Sequence, residues 1–88
     1  MYNITNLTPY EIRNKLDKYM KFGRSVASQA VYVDGQGYYF VIKTAVPFNN
    51  DRFNIGLFRT DDTLDVMWHY GSFSNLGDAK KVLGNIVQ

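Results

Sequence analysis

The chain has 88 residues, a formal charge of +2 and a pI near 8.9, which suits one small domain and falls short of the basicity that by itself marks a nucleic-acid binder. It contains no cysteine and one histidine, so disulfides, thiol nucleophiles, cysteine-ligated zinc and histidine-pair metal motifs are excluded. The surplus is aromatic: seven Tyr, six Phe and one Trp, 16% of the chain.

No segment repeats and no Pro/Gly/Ser run marks a linker, so residues 1–88 are expected to fold as a single small α+β domain. The start lacks the basic and apolar regions of a secretory signal, and no stretch approaches the roughly 18 apolar residues of a membrane span. A soluble, cytoplasmic protein without a membrane partner is the expectation.

Thr8-Pro9-Tyr10-Glu11 places an N-cap, a first-position proline and a capping-box acid in the order their hydrogen bonds require. Leu7 and Ile12 occupy the positions of a hydrophobic staple, and Ile12, Leu16, Tyr19 and Met20 continue an apolar face at helical spacing. The spacing predicts a helix that runs to Gly23, where a left-handed residue can end it. Arg13, Lys15, Lys18, Lys21 and Arg24 stand against Glu11 and Asp17 between residues 11 and 24, an excess of three positive charges.

Residues 25–33 and 38–45 flank Asp34-Gly35-Gln36-Gly37 and read as a hairpin. The loop containing Pro47-Phe48-Asn49-Asn50 follows. Phe53, Ile55 and Leu57 then alternate with Asn54, Gly56 and Phe58 as a third strand. Thr60-Asp61-Asp62-Thr63 makes a turn into a fourth, in which Leu64, Val66, Trp68 and Tyr70 alternate with Asp65, Met67 and His69. Ser74-Asn75 caps a last helix whose stripe is Leu76, Ala79, Val82, Leu83 and Ile86.

This pattern predicts an α+β fold, a four-stranded antiparallel sheet with an N-terminal and a C-terminal helix packed on one face. If Phe40, Ile42, Ile55, Leu57, Val66 and Trp68 face the helices, the other face carries Tyr39, Val41, Phe58, Met67 and His69, with Tyr32 beside them. That face is too apolar for a solvated one, so it is predicted either to bind a larger protein or a second copy of the chain, or to be covered by the terminal segment or the Pro47 loop and become core. Phe48 and Asn49 supply a second expected contact on their loop. The alternative expectation is an RNA or single-stranded nucleic-acid-binding domain, with Arg13, Lys15, Lys18 and Lys21 on phosphates and Tyr38 on a base. His69 alone completes no catalytic constellation, Asp61 and Asp62 diverge in a turn, and no phosphate-binding loop is present. A non-enzymatic protein without cofactor or metal is expected.

Ile4-Thr5-Asn6-Leu7-Thr8-Pro9 resembles the first-strand signature of the RNA-recognition motif, and Gly37-Tyr38-Tyr39-Phe40-Val41 resembles the heart of its third-strand octapeptide. The resemblance implies base stacking by Tyr38 and Phe40. The chain departs from it at Asn3, Gln36, Tyr39 and Lys43, and a strand pair replaces the helix expected after residue 45. The helix, strands, helix order also resembles the double-stranded RNA-binding domain, with Lys80 and Lys81 on the last helix, although that family's loop and lysine signatures are missing. In size and composition the chain is similar to the single-domain inhibitors that phages and mobile elements encode, such as anti-CRISPR proteins. That likeness implies an inhibitor that occludes a surface of a larger partner.

Overall fold

The computed structural model describes residues 7–20, 24–44 and 52–87. Among these residues it is an α+β fold of two α-helices and one antiparallel sheet of six strands. In chain order these are α1 (Pro9–Lys15), β1 (Arg24–Val26), β2 (Val31–Val33), β3 (Gly37–Thr44), β4 (Arg52–Arg59), β5 (Leu64–Val66), β6 (Ser72–Phe73) and α2 (Leu76–Ile86).

The start of α1 follows from its capping box. The Glu11 N–H donates to Thr8 Oγ1 at 3.2 Å, and the Thr8 N–H donates to Glu11 Oε1 at 3.1 Å. Leu7 and Ile12 are buried on either side of the cap. The helix ends earlier than its apolar spacing predicts, with Leu16 as C-cap. Tyr19 and Met20 nevertheless pack on the same core from the turns that follow. At the other end of the chain, Asn75 caps α2 by accepting from the Asp78 N–H at 2.8 Å, and Ala79 and Leu83 form its buried stripe.

The central pair is β3 with β4, in register from Gly37↔Arg59 to Thr44↔Arg52. The expected four strands are six because each flanking strand is broken. β1 and β2 both pair with β3, and β5 and β6 both pair with β4. In the first break, residues 27–30 stand opposite Phe40 and Val41 alone. Ser28 replaces the missing backbone acceptor there, its buried Oγ taking the Val41 N–H at 2.8 Å. Leu7 bridges Ala30 in the same break through a reciprocal pair of backbone hydrogen bonds, at 2.9 and 2.8 Å. In the second break, residues 67–71 stand opposite Ile55 alone and form a 3-10 turn, Trp68–Tyr70.

The two helices lie on opposite faces of the sheet, which corrects the expected one-face arrangement. Ile12 and Leu16 of α1 pack with Phe40, Ile42 and Phe58, whereas Ala79 and Leu83 of α2 pack with Tyr39, Val41, Ile55 and Leu57. The cause is register. Phe40 pairs with Gly56, and Tyr39 with Leu57, so even-numbered positions of both central strands share one face and odd-numbered positions the other. The expected core instead joins the even positions of β3 to the odd positions of β4. Each face then carries a full apolar set, and each needs its own cover. A fully buried Phe or Ile contributes about 1.5–3 kcal/mol, so leaving either face bare would forfeit several such terms.

Two glycines are set by close approach. Gly37 has φ +131°, and a Cβ there would sit 2.0 Å from the Phe58 carbonyl oxygen. At Gly56 a Cβ would meet the Phe40 ring at 2.9 Å, so the missing side chain opposite Phe40 is what leaves room for that ring. Gly37→Ala is expected to destabilise the fold by about 3 kcal/mol or more, through backbone strain and collision with backbone that cannot yield. Gly56→Ala should cost about 1–3 kcal/mol, since a side chain can shift. Urea unfolding of the two variants measures both, and a smaller loss at Gly37 than at Gly56 would contradict the register given above.

Candidate functional site

The residues predicted to form one open sheet face do not form one. Tyr39 and Val41 are 4% and 0% exposed beneath α2, and Phe58 is 8% exposed on the opposite side beneath α1. Met67 is half-buried against the α2 core. Tyr32 is half-buried at the sheet edge, its ring edge-on to Tyr38 with centroids 5.1 Å apart. His69 is exposed, but on the 3-10 turn and not on a strand. Phe48, Asn49 and Lys21 lie outside the described residues. Among the described residues, Tyr39, Phe40 and Phe58 are buried in two cores where one was expected, with Tyr19, Tyr38, Phe53, Tyr70 and Phe73 packed against them.

The largest exposed apolar group near the sheet is instead Trp68, at 62%. Period-two alternation assigned it to the core, and the 3-10 turn removes it from the strand. That turn is firmly attached. The Met67 N–H donates to the Ile55 carbonyl at 2.7 Å, Tyr70 N–H to Met67 O at 3.1 Å, and Gly71 N–H to Trp68 O at 3.0 Å. On its far side Arg52 donates to the Ser72 carbonyl at 2.8 Å and to Ser72 Oγ at 3.1 Å. His69 lies against Tyr70 with ring centroids 4.2 Å apart. Exposed Trp68 and His69, with half-buried Tyr70 behind them, form a rigid, amphipathic contact surface on a pinned turn whose conformational cost is met by the fold. The sequence signal that could have found it is Gly71, which interrupts the alternation directly after Tyr70.

The basic surface of the alternative reading is only partly assembled. Arg13, Lys15 and Lys18 are exposed along α1 and its following turn, and Lys18 Nζ sits 4.9 Å from the centre of the Tyr19 ring. The two expected stacking residues do not accompany them as an open platform, because Phe40 is fully buried and Tyr38 packs, half-buried, against the α1 core. Lys15 and Lys18 do line a cleft of about 250 Å³ with Phe58 and Asp62. Asp62 belongs to the β4–β5 turn, which is tied to the chain following α1 by the Tyr19 hydroxyl donating to the Asp62 carbonyl at 2.9 Å.

Among the described residues, no group of three or more His, Cys, Asp or Glu converges on a metal-sized site. Asn54, 1% exposed on β4, has no hydrogen-bond partner for its Oδ1, an arrangement that costs about 1–3 kcal/mol. Arg59 is ion-paired with Asp65 across the β4–β5 hairpin, and this hydrogen bond and charge raise the guanidinium above its ordinary value. Burial, followed by the charge of Tyr70, pushes the Tyr39 hydroxyl up; it donates to Gln36 Oε1.

No known family, curated protein or solved structure matches this chain. No helix among the described residues is long and apolar enough to cross a membrane.

Two carboxyls are held below their ordinary range by hydrogen bonds to the charged form: Glu11 by the Thr8 backbone N–H and hydroxyl, and Asp61 by the Thr63 hydroxyl and N–H. A carboxyl lowered in the folded state stabilises the fold above its unfolded value, and that contribution is lost as pH falls through the folded value. Stability is therefore expected to decline on the acid side, and Glu11→Gln should flatten the decline. Glu11 is the chain's only glutamate, so carbon-detected NMR titration of its carboxyl reads the midpoint directly; a midpoint at or above the ordinary glutamate value would refute the cap's role.

Proposed function

We propose that the protein is a non-catalytic binding module that covers a surface of a larger protein partner, and that it does so with the Trp68-His69-Tyr70 turn. The observation carrying this reading is Trp68, 62% exposed on a turn held at both ends by hydrogen bonds to β4. A monomer gains nothing in stability from an exposed indole, whereas Trp and Tyr are the residue types that dominate binding free energy at interface centres. The four residues by which 67–71 exceed the single residue opposite them do not extend the sheet; they display side chains. The form of an occluding inhibitor, as phages and mobile elements encode, adds to this reading a partner whose activity is blocked.

The test is capture of the partner from the native host by wild type and by Trp68→Ala. Truncation at an interface centre is expected to weaken capture by at least about 2 kcal/mol, roughly thirtyfold in Kd, with an unchanged unfolding curve. Trp68 is the only tryptophan, so its emission should shift to the blue when the partner is added. Undiminished capture by Trp68→Ala, or an emission spectrum the partner does not move, would count against the reading. Dissociation of a dimer by the same variant would identify the partner as a second copy of the chain.

A further inference from the structure

The Trp68 turn is held by side chains as well as by its backbone. Met67 and Tyr70 stand one turn of a 3-10 helix apart and therefore lie on the same side of it. Both are half-buried and pack against the α2 core, whereas Trp68 and His69 between them are exposed. Phe73, in β6, packs on the same core. Gly71 joins the turn to β6 at φ +107°, and a Cβ there would lie 3.3 Å from the Phe73 ring.

Tyr70 is the anchor with the most connections to the turn. Its N–H donates to Met67 O at 3.1 Å and closes the 3-10 turn, and its ring lies against that of His69 with centroids 4.2 Å apart. On the inner side, after burial, the charge of Tyr70 is the next cause that pushes up the Tyr39 hydroxyl beneath α2. The hydrogen bonds of a single 3-10 turn are poorly aligned and hold it weakly by themselves. The remaining restraint must come from the side chains that face inward, and Tyr70 is the one directly joined to the displayed pair.

We infer that Tyr70 is a positioning residue: its ring, packed on the α2 core, holds the turn in the one orientation that presents Trp68, and it acts without touching the partner. This rests on the binding role proposed above for Trp68, and it divides that turn into a displayed pair and an anchor. It also makes the affinity of the surface depend on how α2 is seated. Ordering a loose side chain on binding weakens an interface by a factor of about three to ten in Kd, a cost that an indole already held in place does not incur.

Trp68 is the only tryptophan, so its time-resolved fluorescence anisotropy reads the motion of the turn in the full chain with no partner present. In the wild type the decay should follow the tumbling of the whole molecule. Tyr70→Ala should add a fast component from local motion on the picosecond-to-nanosecond scale, and Tyr70→Phe, which keeps the ring, should restore the wild-type decay. Tyr70→Leu, which keeps apolar bulk without the ring, should add the same component more weakly and serves if Tyr70→Ala does not fold. Ile42→Val, in the α1 core, controls for a general loss of stability and should leave the decay unchanged. The inference is overturned by a dominant fast component in the wild type, by its absence from the folded Ala or Leu variant, or by an equal one in Ile42→Val.

Toward the captured partner, Tyr70→Ala should bind about three- to tenfold more weakly and Tyr70→Phe as the wild type does. Wild-type affinity in Tyr70→Ala, beside a Trp68→Ala that is not captured, overturns the positioning role and leaves the Trp68 reading standing. Undiminished capture of Trp68→Ala overturns that reading instead, and the anisotropy, measured without partner, still decides whether Tyr70 holds the turn.

Discussion

Eight consecutive cross-strand pairs join β3 to β4, from Gly37↔Arg59 to Thr44↔Arg52, and they set the face on which every other side chain of the sheet must lie. With Phe40 opposite Gly56 and Val41 opposite Ile55, the apolar residues divide into two nearly equal sets. α1 and α2 cannot share a face under that register, because whichever side they left would expose a contiguous apolar area of the kind a monomer rarely carries. Gly37 and Gly56 are the local conditions for the pairing: one allows the chain to turn into β3 against the Phe58 carbonyl, the other leaves room for the Phe40 ring.

The broken outer strands obey the same constraint. Residues 27–30 exceed the two residues opposite them by two, and residues 67–71 exceed Ile55 by four. Both surpluses are even, so alternation resumes on the same face after each break, and neither interruption disturbs a core. The first surplus is used internally, where Ser28 completes the hydrogen bonding of Val41 and Leu7 ties the entry of α1 to the sheet edge. The second surplus is turned outward and carries Trp68 and His69. An edge interruption of this kind also blunts the strand against pairing with other chains, so it serves the monomer and the display of an aromatic surface together.

Two surfaces with different chemistry result. The 3-10 turn presents rings on a backbone held by hydrogen bonds, while the cleft beside the end of α1 is lined by Lys15, Lys18, Phe58 and Asp62, from elements joined through Tyr19. The buried positions first assigned to binding, Tyr39, Val41 and Phe58, instead supply the rigidity on which both surfaces rest.

Elements governed by neighbours in sequence were legible in the chain. The Thr8 to Glu11 capping box, the Asn75 cap, the Asp34 to Gly37 turn and the alternation within β4 all depend on hydrogen bonds or side-chain directions a few residues apart, and they stand where their patterns put them. What the tertiary structure alone decided was the phase between strands. The register in which β3 pairs with β4 determines whether even positions meet even or odd ones, and no propensity in either strand carries that information. From that one choice follow the two separate cores, the helices on opposite faces and the burial of the expected binding residues. The exposure of Trp68 was likewise invisible, since a strand pattern and a strand interrupted by a 3-10 turn read alike until the partner strand shows which residues it leaves unpaired.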